Sequence, residues 1–333
     1  MLFRRLLSLA VGLTFIVVVV GAFVRLTDAG LGCPDWPGCY GHLASLPETE
    51  QEITAAQAQD PRGTYDAGKA SREMLHRYLA GALGLLILVL AVLCRTRLGS
   101  ARLARGTTAL LALVVLQALL GMWTVTLQLK PLIVTLHLLG GFATLGLVWW
   151  LLLRCHDWPR PAAPGSPRSL RYLYVAALAG LVVQIALGGW TSSNYAALAC
   201  PDFPTCREQW WPAGMDFPEA FVLWRGLGVD YEYGVLDSPA RTAIHVAHRI
   251  GAIVAVALIL TLAIASIRNR LGAWRISGYI LIALLAAQVS LGIGNVVLQL
   301  PLAVAVAHNA FAAILLLALL AQGRLLLDRG TDP

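Results

Sequence analysis

Four histidines recur as two equivalent pairs in this chain of 333 residues and are its first candidates for chemistry. A His-Arg dipeptide occurs once in each half, at residues 76–77 and 248–249, and a single histidine follows each one. Neutral imidazole is the commonest metal ligand among side chains. The recurrent residues are His76, His137, His248 and His308. Their pattern predicts one metal centre in each half, with two imidazole ligands.

A haem is the metal group that two opposed imidazoles suit best. Its iron takes an axial nitrogen on each face, and its flat apolar ring fills the space between helices of a bundle. Zinc or copper would require a third or fourth ligand nearby, and no Cys, Asp or Glu is duplicated inside the apolar segments. A histidine that only hydrogen-bonds to a neighbouring helix is the alternative for any single one, but recurrence as two pairs favours haem.

An acidic residue accompanies the first histidine pair only. Glu73 precedes His76 by three residues, which places both side chains on one helix face, whereas the matching position in the second half is His245. A carboxylate there would move protons or stabilise positive charge at an oxidised carbon beside the iron. It would equally suit the dipole at a helix N-terminus, so both roles stay open. His245 is expected to support a ligand or a helix interface.

Three arginines are candidates to bind the propionate groups of the haems. Both histidine pairs are expected near the outer membrane surface, so the propionates would point outward to cationic side chains. Arg77 and Arg249 each follow a predicted ligand, and Arg25 ends the first apolar segment. Ordinary snorkelling to the membrane interface gives the same pattern, and both interpretations stand.

An unusual heptapeptide occurs twice, as CPDWPGC at residues 33–39 and as CPDFPTC at 200–206. Cysteine pairs of this kind form disulfides in an oxidising compartment, and closing so short a loop contributes about 2 kcal/mol. The predicted disulfides are Cys33–Cys39 and Cys200–Cys206. Zinc binding together with His42, or redox-active thiols, are the alternatives, although the second half has no histidine matching His42.

The composition places these residues in a membrane. Of the residues, 58% are hydrophobic and 13% charged, whereas about 25% are charged in soluble domains. A helix needs about 20 apolar residues to cross the hydrocarbon core. Eight runs satisfy this, and the first is too long and lacks the cleavage site of a signal peptide. The predicted spans are 8–26, 75–94, 107–127, 132–153, 172–192, 244–266, 277–299 and 302–322.

The predicted fold class is all-α, a polytopic membrane protein with eight transmembrane helices. Repeated Gln-x-x-x-Gly and Leu-Gln-Leu motifs show that the last four spans repeat the first four. Because each half has an even number of spans, we expect two tandem parallel four-helix bundles related by a pseudo-twofold axis along the membrane normal. Short outer turns at 130–131 and 300–301 predict tight helical hairpins. The predicted domains are an N-terminal bundle (1–155), a cytoplasmic linker (156–171) and a C-terminal bundle (172–333).

The charge distribution predicts the orientation. With the N-terminus inside, the inner segments hold 15 Lys or Arg and 3 acidic residues, whereas the outer side holds 10 basic and 15 acidic residues. This is the positive-inside pattern, so both termini are expected in the cytoplasm and the long loops, 27–73 and 193–243, outside. The net charge of +7 is spread over loops instead of forming one patch, so no nucleic-acid partner is expected.

These motifs together resemble the haem A synthase family, over all eight spans. Each motif alone would be weak, and the constellation is specific. The residues that carry the resemblance are Arg25-Leu26-Thr27, Gly30-Leu31, Cys33-Pro34-Asp35-Trp36-Pro37, Glu73-x-x-His76-Arg77, His248-Arg249, His137 and His308.

The resemblance implies an oxidoreductase of the bacterial cytoplasmic (inner) membrane. It would oxidise the methyl group at ring position 8 of haem O to a formyl group, giving haem A for terminal cytochrome oxidases. The resemblance further implies that His248 and His308 bind a resident haem b, that His76 and His137 receive haem O, and that Glu73 is catalytic. Haem O synthase and cytochrome oxidase assembly factors are the implied partners.

Other functions make different demands on the sequence. A two-haem cytochrome b that only transfers electrons would need haems at opposite depths to cross the bilayer, and it would gain nothing from Glu73. A transporter built from repeats predicts broken helices and charges at mid-span, where these spans have Leu, Val and Ala. Haem O synthase itself would need aspartate-rich magnesium motifs in its loops, and the sequence has none.

Overall fold

The computed structural model describes residues 1–43, 45–59, 65–98, 100–155, 168–268 and 272–327. Eight helices in this part of the chain are long and apolar enough to cross a membrane, which confirms the predicted all-α polytopic class. They are α1 (Leu2–Leu26), α3 (Ala67–Leu93), α4 (Ala101–Thr126), α5 (Pro131–Cys155), α6 (Arg168–Ser193), α8 (Ser238–Ile267), α9 (Gly272–Val297) and α10 (Leu302–Leu327). Two short helices, α2 (Glu50–Gln59) and α7 (Phe217–Ala220), lie in the long loops. Most of the predicted linker lies outside the described residues.

Several helices begin before their apolar runs. The carboxylate of Asp66 accepts a hydrogen bond from the Lys69 N–H and caps α3, and Asp237 caps α8 through the Ala240 N–H. Such caps satisfy backbone donors that a helix N-terminus leaves unpaired. The polar first turns therefore belong to the helices, although hydropathy alone places the predicted starts later.

Each half is a ring of four helices. In the first half, α1 and α4 both pack against α3 and α5. In the second half, α6 and α9 both pack against α8 and α10. Helices α3 and α5 are therefore diagonal partners, as are α8 and α10. The halves meet where α1 packs on α10, α5 packs on α6 and α5 packs on α10. The predicted pseudo-twofold relation would exchange the first two of these contacts with each other.

Tight turns join α4 to α5 and α9 to α10, as the sequence predicts. Gln128 and Leu129 have φ values of 50° and 58°, and Gln299 and Leu300 have 58° and 59°. In both turns the leucine N–H donates at 2.7 Å to a carbonyl of the preceding helix. The same left-handed pair thus reverses the chain in both halves.

The long loop between α6 and α8, predicted to lie outside, reaches over the first half. We call residues 221–236 the outer strap. Lys130, which is buried between α4 and α5, donates to a strap carbonyl and places its Nζ 3.6 Å from the ring centroid of Trp224. Lys69 of α3 forms an ion pair of 3.4 Å with Glu232. The outer strap therefore covers the N-terminal end of α3 and the turn of the α4–α5 hairpin.

Candidate functional site

The recurrent histidines lie on the diagonal helices of each bundle. His76 of α3 and His137 of α5 have ring centroids 6.5 Å apart and ring planes at 85° to each other. His248 of α8 and His308 of α10 occupy the corresponding positions and are close enough to interact electrostatically. All four lie in the N-terminal half of their helices. The structure thus brings the predicted residues together as the predicted pairs.

Each imidazole rests against a glycine of a neighbouring helix. A Cβ atom built at any of these glycines would lie 3.0 to 3.3 Å from the Cε1 atom of the imidazole. A larger residue would therefore displace the ring. The glycine–histidine pairs are Gly21 with His76, Gly121 with His137, Gly188 with His248 and Gly292 with His308. These four contacts obey the internal repeat, so both bundles hold their imidazoles in the same way.

The first histidine pair has donor atoms and a ring separation that suit a haem. Two metal–nitrogen bonds of about 2.0 Å, with the distance from each nitrogen to its ring centre, place two axial imidazole centroids roughly 6 to 6.5 Å apart. The Nδ1 atoms of His76, His137 and His308 are buried and have no hydrogen-bond partner among the described residues. Because buried polar atoms are normally paired, these nitrogens mark a place where a ligand group fits.

Glu73 lies beneath the first disulfide loop, with 5% of its surface exposed. Its Oε2 accepts the Cys33 N–H at 2.9 Å, and its Oε1 accepts a hydrogen bond from Arg77 at 2.6 Å. In the second half, Nδ1 of His245 lies 3.5 Å from the Cys200 nitrogen and 3.0 Å from a backbone carbonyl oxygen. The same place in the fold therefore holds a carboxylate in one half and an imidazole in the other.

The repeated heptapeptide folds in the same way twice. Both predicted disulfides form, Cys33–Cys39 and Cys200–Cys206, so these sulfurs are not thiolates available to bind zinc with His42. The carboxylates of Asp35 and Asp202 each accept hydrogen bonds from the backbone N–H groups of the two residues that follow the second cysteine of the loop. A hydrogen bond from the Thr205 hydroxyl, together with those N–H groups, lowers the pKa of Asp202. The aspartate of the motif thus organises each loop.

The arginine after each ligand histidine is bound to its disulfide loop. Arg77 donates to three carbonyl oxygens within residues 35–38. Arg249 donates to four within residues 200–205. This arrangement explains why His-Arg recurs as a unit: the histidine faces the bundle while the arginine holds the loop above it.

Arg25 joins the two halves. Its guanidinium pairs with Asp28 at 3.3 Å, donates to the Ser192 carbonyl at 2.6 Å and lies 4.1 Å from the ring centroid of Tyr195. Contacts of Arg25, Arg77 and Arg249 with haem propionates stay predictions, and they would use N–H groups beyond those engaged here.

Replacing Arg249 by alanine is expected to loosen the second disulfide loop. The change removes four hydrogen bonds from a charged donor, each contributing about 1.5–3 kcal/mol. Cys200–Cys206 should therefore be reduced by dithiothreitol faster than in the unaltered protein, measured by alkylation and peptide mass spectrometry. Cys33–Cys39 in the same sample is the internal control. Equal reduction rates for Cys200–Cys206 in both proteins would show that Arg249 does not hold the loop.

Sequence reasoning identified the histidines but not the glycines that support them. The Gln-x-x-x-Gly motif of α4 and α9 indicates the repeat. The same motif occurs a third time at Gln184 and Gly188 of α6, and this recurrence could have identified a supporting glycine. The outer strap had no signal, because nothing in the loop composition tells which half it covers.

The fold and the site together define a duplicated, polytopic membrane protein with two equivalent histidine-paired bundles. Residues 4–320 match the family described as cytochrome oxidase assembly protein (COX15-CtaA). The chain belongs to this family, as its motifs predict.

Individual relatives extend over nearly the whole chain. The chain is 45% identical to "Heme A synthase" of Shewanella oneidensis, over 94% of this chain and 93% of that protein. It is 30% identical to the protein of the same name from Sphingopyxis alaskensis, over 91% and 86% of the two chains. With that from Rhizorhabdus wittichii it shares 29% identity over 95% and 92%. The similarity therefore includes both bundles.

Proposed function

We propose that this protein is a haem A synthase, a membrane oxidoreductase that converts the C8 methyl group of haem O into the formyl group of haem A. Family membership and the whole-length similarity to proteins named heme A synthase support the proposal. The observation that carries it is the His76–His137 pair, whose ring centroids lie 6.5 Å apart, in a bundle where the buried Glu73 lies on the same helix as His76. The product would serve terminal cytochrome oxidases.

The two bundles have different proposed occupants. His248 and His308 would hold a resident haem b, and His76 and His137 would receive haem O as substrate. The glycine contacts place one edge of each imidazole against its neighbouring helix, and a flat apolar group is proposed to lie between the two rings of a pair. When bound, haem b supplies one-electron transfer. The bundle that contains Glu73 is assigned the substrate because it alone offers a carboxylate at that position.

Glu73 is proposed to hold and move a proton beside the substrate. Two successive hydroxylations of the methyl carbon, each requiring a two-electron oxidant, would give a gem-diol that loses water to form the aldehyde, and protons must be exchanged near that carbon. The Cys33 N–H and the Arg77 guanidinium fix both carboxylate oxygens. A general acid or base must be positioned in this way before its pKa matters.

The protein is proposed to reside in the bacterial inner membrane with both termini in the cytoplasm. The disulfide-bonded loops would then face the oxidising outer side, where such bonds persist. Haem O synthase is the proposed donor of the substrate, and cytochrome oxidase assembly factors are the proposed recipients of the product.

Extraction of the bound haems tests the proposed function. The purified protein should yield haem b together with haem O, haem A or a partly oxidised haem, resolved by reverse-phase chromatography and mass spectrometry. Haem b alone, in an amount that fills both bundles, would instead identify a two-haem cytochrome b devoted to electron transfer.

A further inference from the structure

A groove lies between α3 and α4 at the ends that are farthest from the disulfide loops. Helix α3 continues there into one turn of π-helix, Cys94–Leu98, and the hydroxyl of Ser100 caps the start of α4. The groove has a volume of about 490 Å³ and opens on the surface of the protein. Its lining consists of two arginines, one threonine and three alanines, namely Arg95, Arg105, Thr108, Ala104, Ala109 and Ala112.

The two arginines reach this groove from different elements and meet no acid there. Nη2 of Arg95 donates to the Thr108 hydroxyl at 2.7 Å, which holds its guanidinium against α4. Arg105 precedes Thr108 by three residues and therefore lies on the same face of α4. The sequence has no Asp or Glu between Glu73 and Asp157, and neither arginine has an ion-pair partner among the described residues. Two like charges that share a groove repel each other, so the groove favours an anion.

An exposed apolar face of α4 continues from the groove toward the middle of the membrane. Positions three and four residues apart share one face of a helix, and Ala112 follows Arg105 by two turns on the face that includes Thr108. The exposed residues that extend this face are Ala112, Val115, Leu116 and Leu119. A ligand that matches both parts has an anionic head beside the arginines and a hydrocarbon chain along α4.

The second half has no such pair of arginines at the matching positions. In the register of the internal repeat, Ile267 stands at the place of Arg95 and Ile276 at that of Arg105. Basic residues are generally frequent on the cytoplasmic side of membrane proteins, and Arg275 at the start of α9 follows that bias. The bias alone therefore does not require two arginines at one groove, and the first half differs here from its own repeat.

We propose that this groove binds an anionic phospholipid of the leaflet opposite the disulfide loops. The guanidinium groups of Arg95 and Arg105 pair with the lipid phosphate, a group that arginine binds through parallel hydrogen bonds. One acyl chain lies along α4 from Ala112 onward. Basic pockets between transmembrane helices on the cytoplasmic side bind anionic lipid headgroups in other proteins. The bound lipid neutralises the arginine pair and joins α3 to α4 at this end of the bundle.

Native mass spectrometry of the full-length protein, titrated with phosphatidylglycerol in a neutral detergent, tests the proposal. The double variant Arg95→Gln/Arg105→Gln should bind phosphatidylglycerol about 30-fold more weakly, while its weak binding of phosphatidylcholine stays unchanged. The matched control is Arg168→Gln/Arg275→Gln, which removes the same charge from two exposed arginines at the corresponding ends of α6 and α9. It should bind phosphatidylglycerol as the unaltered protein does.

Two further measurements separate a lipid site from general attraction or misfolding. Arg95→Lys/Arg105→Lys keeps both charges and should bind phosphatidylglycerol more tightly than the glutamine pair does, and an unchanged circular dichroism spectrum shows that each variant is folded. A large excess of inorganic phosphate should leave the lipid bound, because phosphate has no chain to lie along α4. Displacement by phosphate would reveal a site for small anions only, and equal losses in the two glutamine double variants would reveal attraction without a site. Either result would overturn the proposal.

Discussion

His248→Ala and His308→Ala are each expected to abolish retention of haem b. Either change removes one of the two axial nitrogens in the second bundle, a larger loss than removing an acceptor beside a ligand, which alone lowers metal affinity about 10- to 100-fold. The low-spin absorbance of the purified protein should fall accordingly, and chromatography of extracted haem should show the deficit in haem b. Haem A production should fall with it.

Three further variants decide whether such a loss is specific. His42→Ala changes a histidine of the outer loop outside both bundles and should keep haem b. His76→Ala should keep haem b and lose haem O, because it changes the other bundle. His248→Met offers a thioether, which can ligate haem iron, and should retain haem b with an altered spectrum. A normal haem b content in His248→Ala would contradict the ligand assignment.

Glu73→Gln is expected to lower haem A production strongly while leaving the haem b spectrum intact. The glutamine amide can still accept the hydrogen bond that Cys33 donates at 2.9 Å, but it carries no exchangeable carboxyl proton. Loss of a general acid or base reduces a rate by about 10²- to 10⁴-fold. The ratio of haem A to haem O in extracts of cells expressing the variant measures the effect.

The control is Glu50→Gln, which makes the same replacement of a carboxylate by an amide at an exposed acid at the start of α2. It should leave the ratio of haem A to haem O unchanged. Unaltered haem A output from Glu73→Gln would restrict Glu73 to supporting Arg77 and the loop, and proton movement would then have to be assigned elsewhere.

The fold was predictable to the extent that the membrane determines it. A helix must be about 20 residues long and apolar to cross, so eight runs give eight spans, and the even number per half sets their direction. Helix α2 escaped prediction because it is short and polar. It depends on a local exchange in which Thr49 caps the Glu52 N–H while Glu52 accepts the Thr49 N–H.

The site was predictable where side chains recur and unpredictable where the backbone is the partner. The histidine pairs follow from recurrence on diagonal helices. The loop contacts of Arg77 and Arg249 could not be derived, because carbonyl oxygens leave no trace in the sequence. Glycines such as Gly21 and Gly188 are common in membrane helices, so their meaning depends on which ring they face.

The outer strap makes the duplication asymmetric in a way that the helices do not show. In a symmetric dimer of identical subunits, the long loop of each subunit would cover the bundle of the other, or neither loop would. Here the long loop of the second half covers the first half through contacts with Lys130 and Lys69. The matching loop of the first half contains helix α2 instead. Because the strap belongs to the second half of the chain, the first half produced alone would lack the contacts that Lys130 and Lys69 make with it.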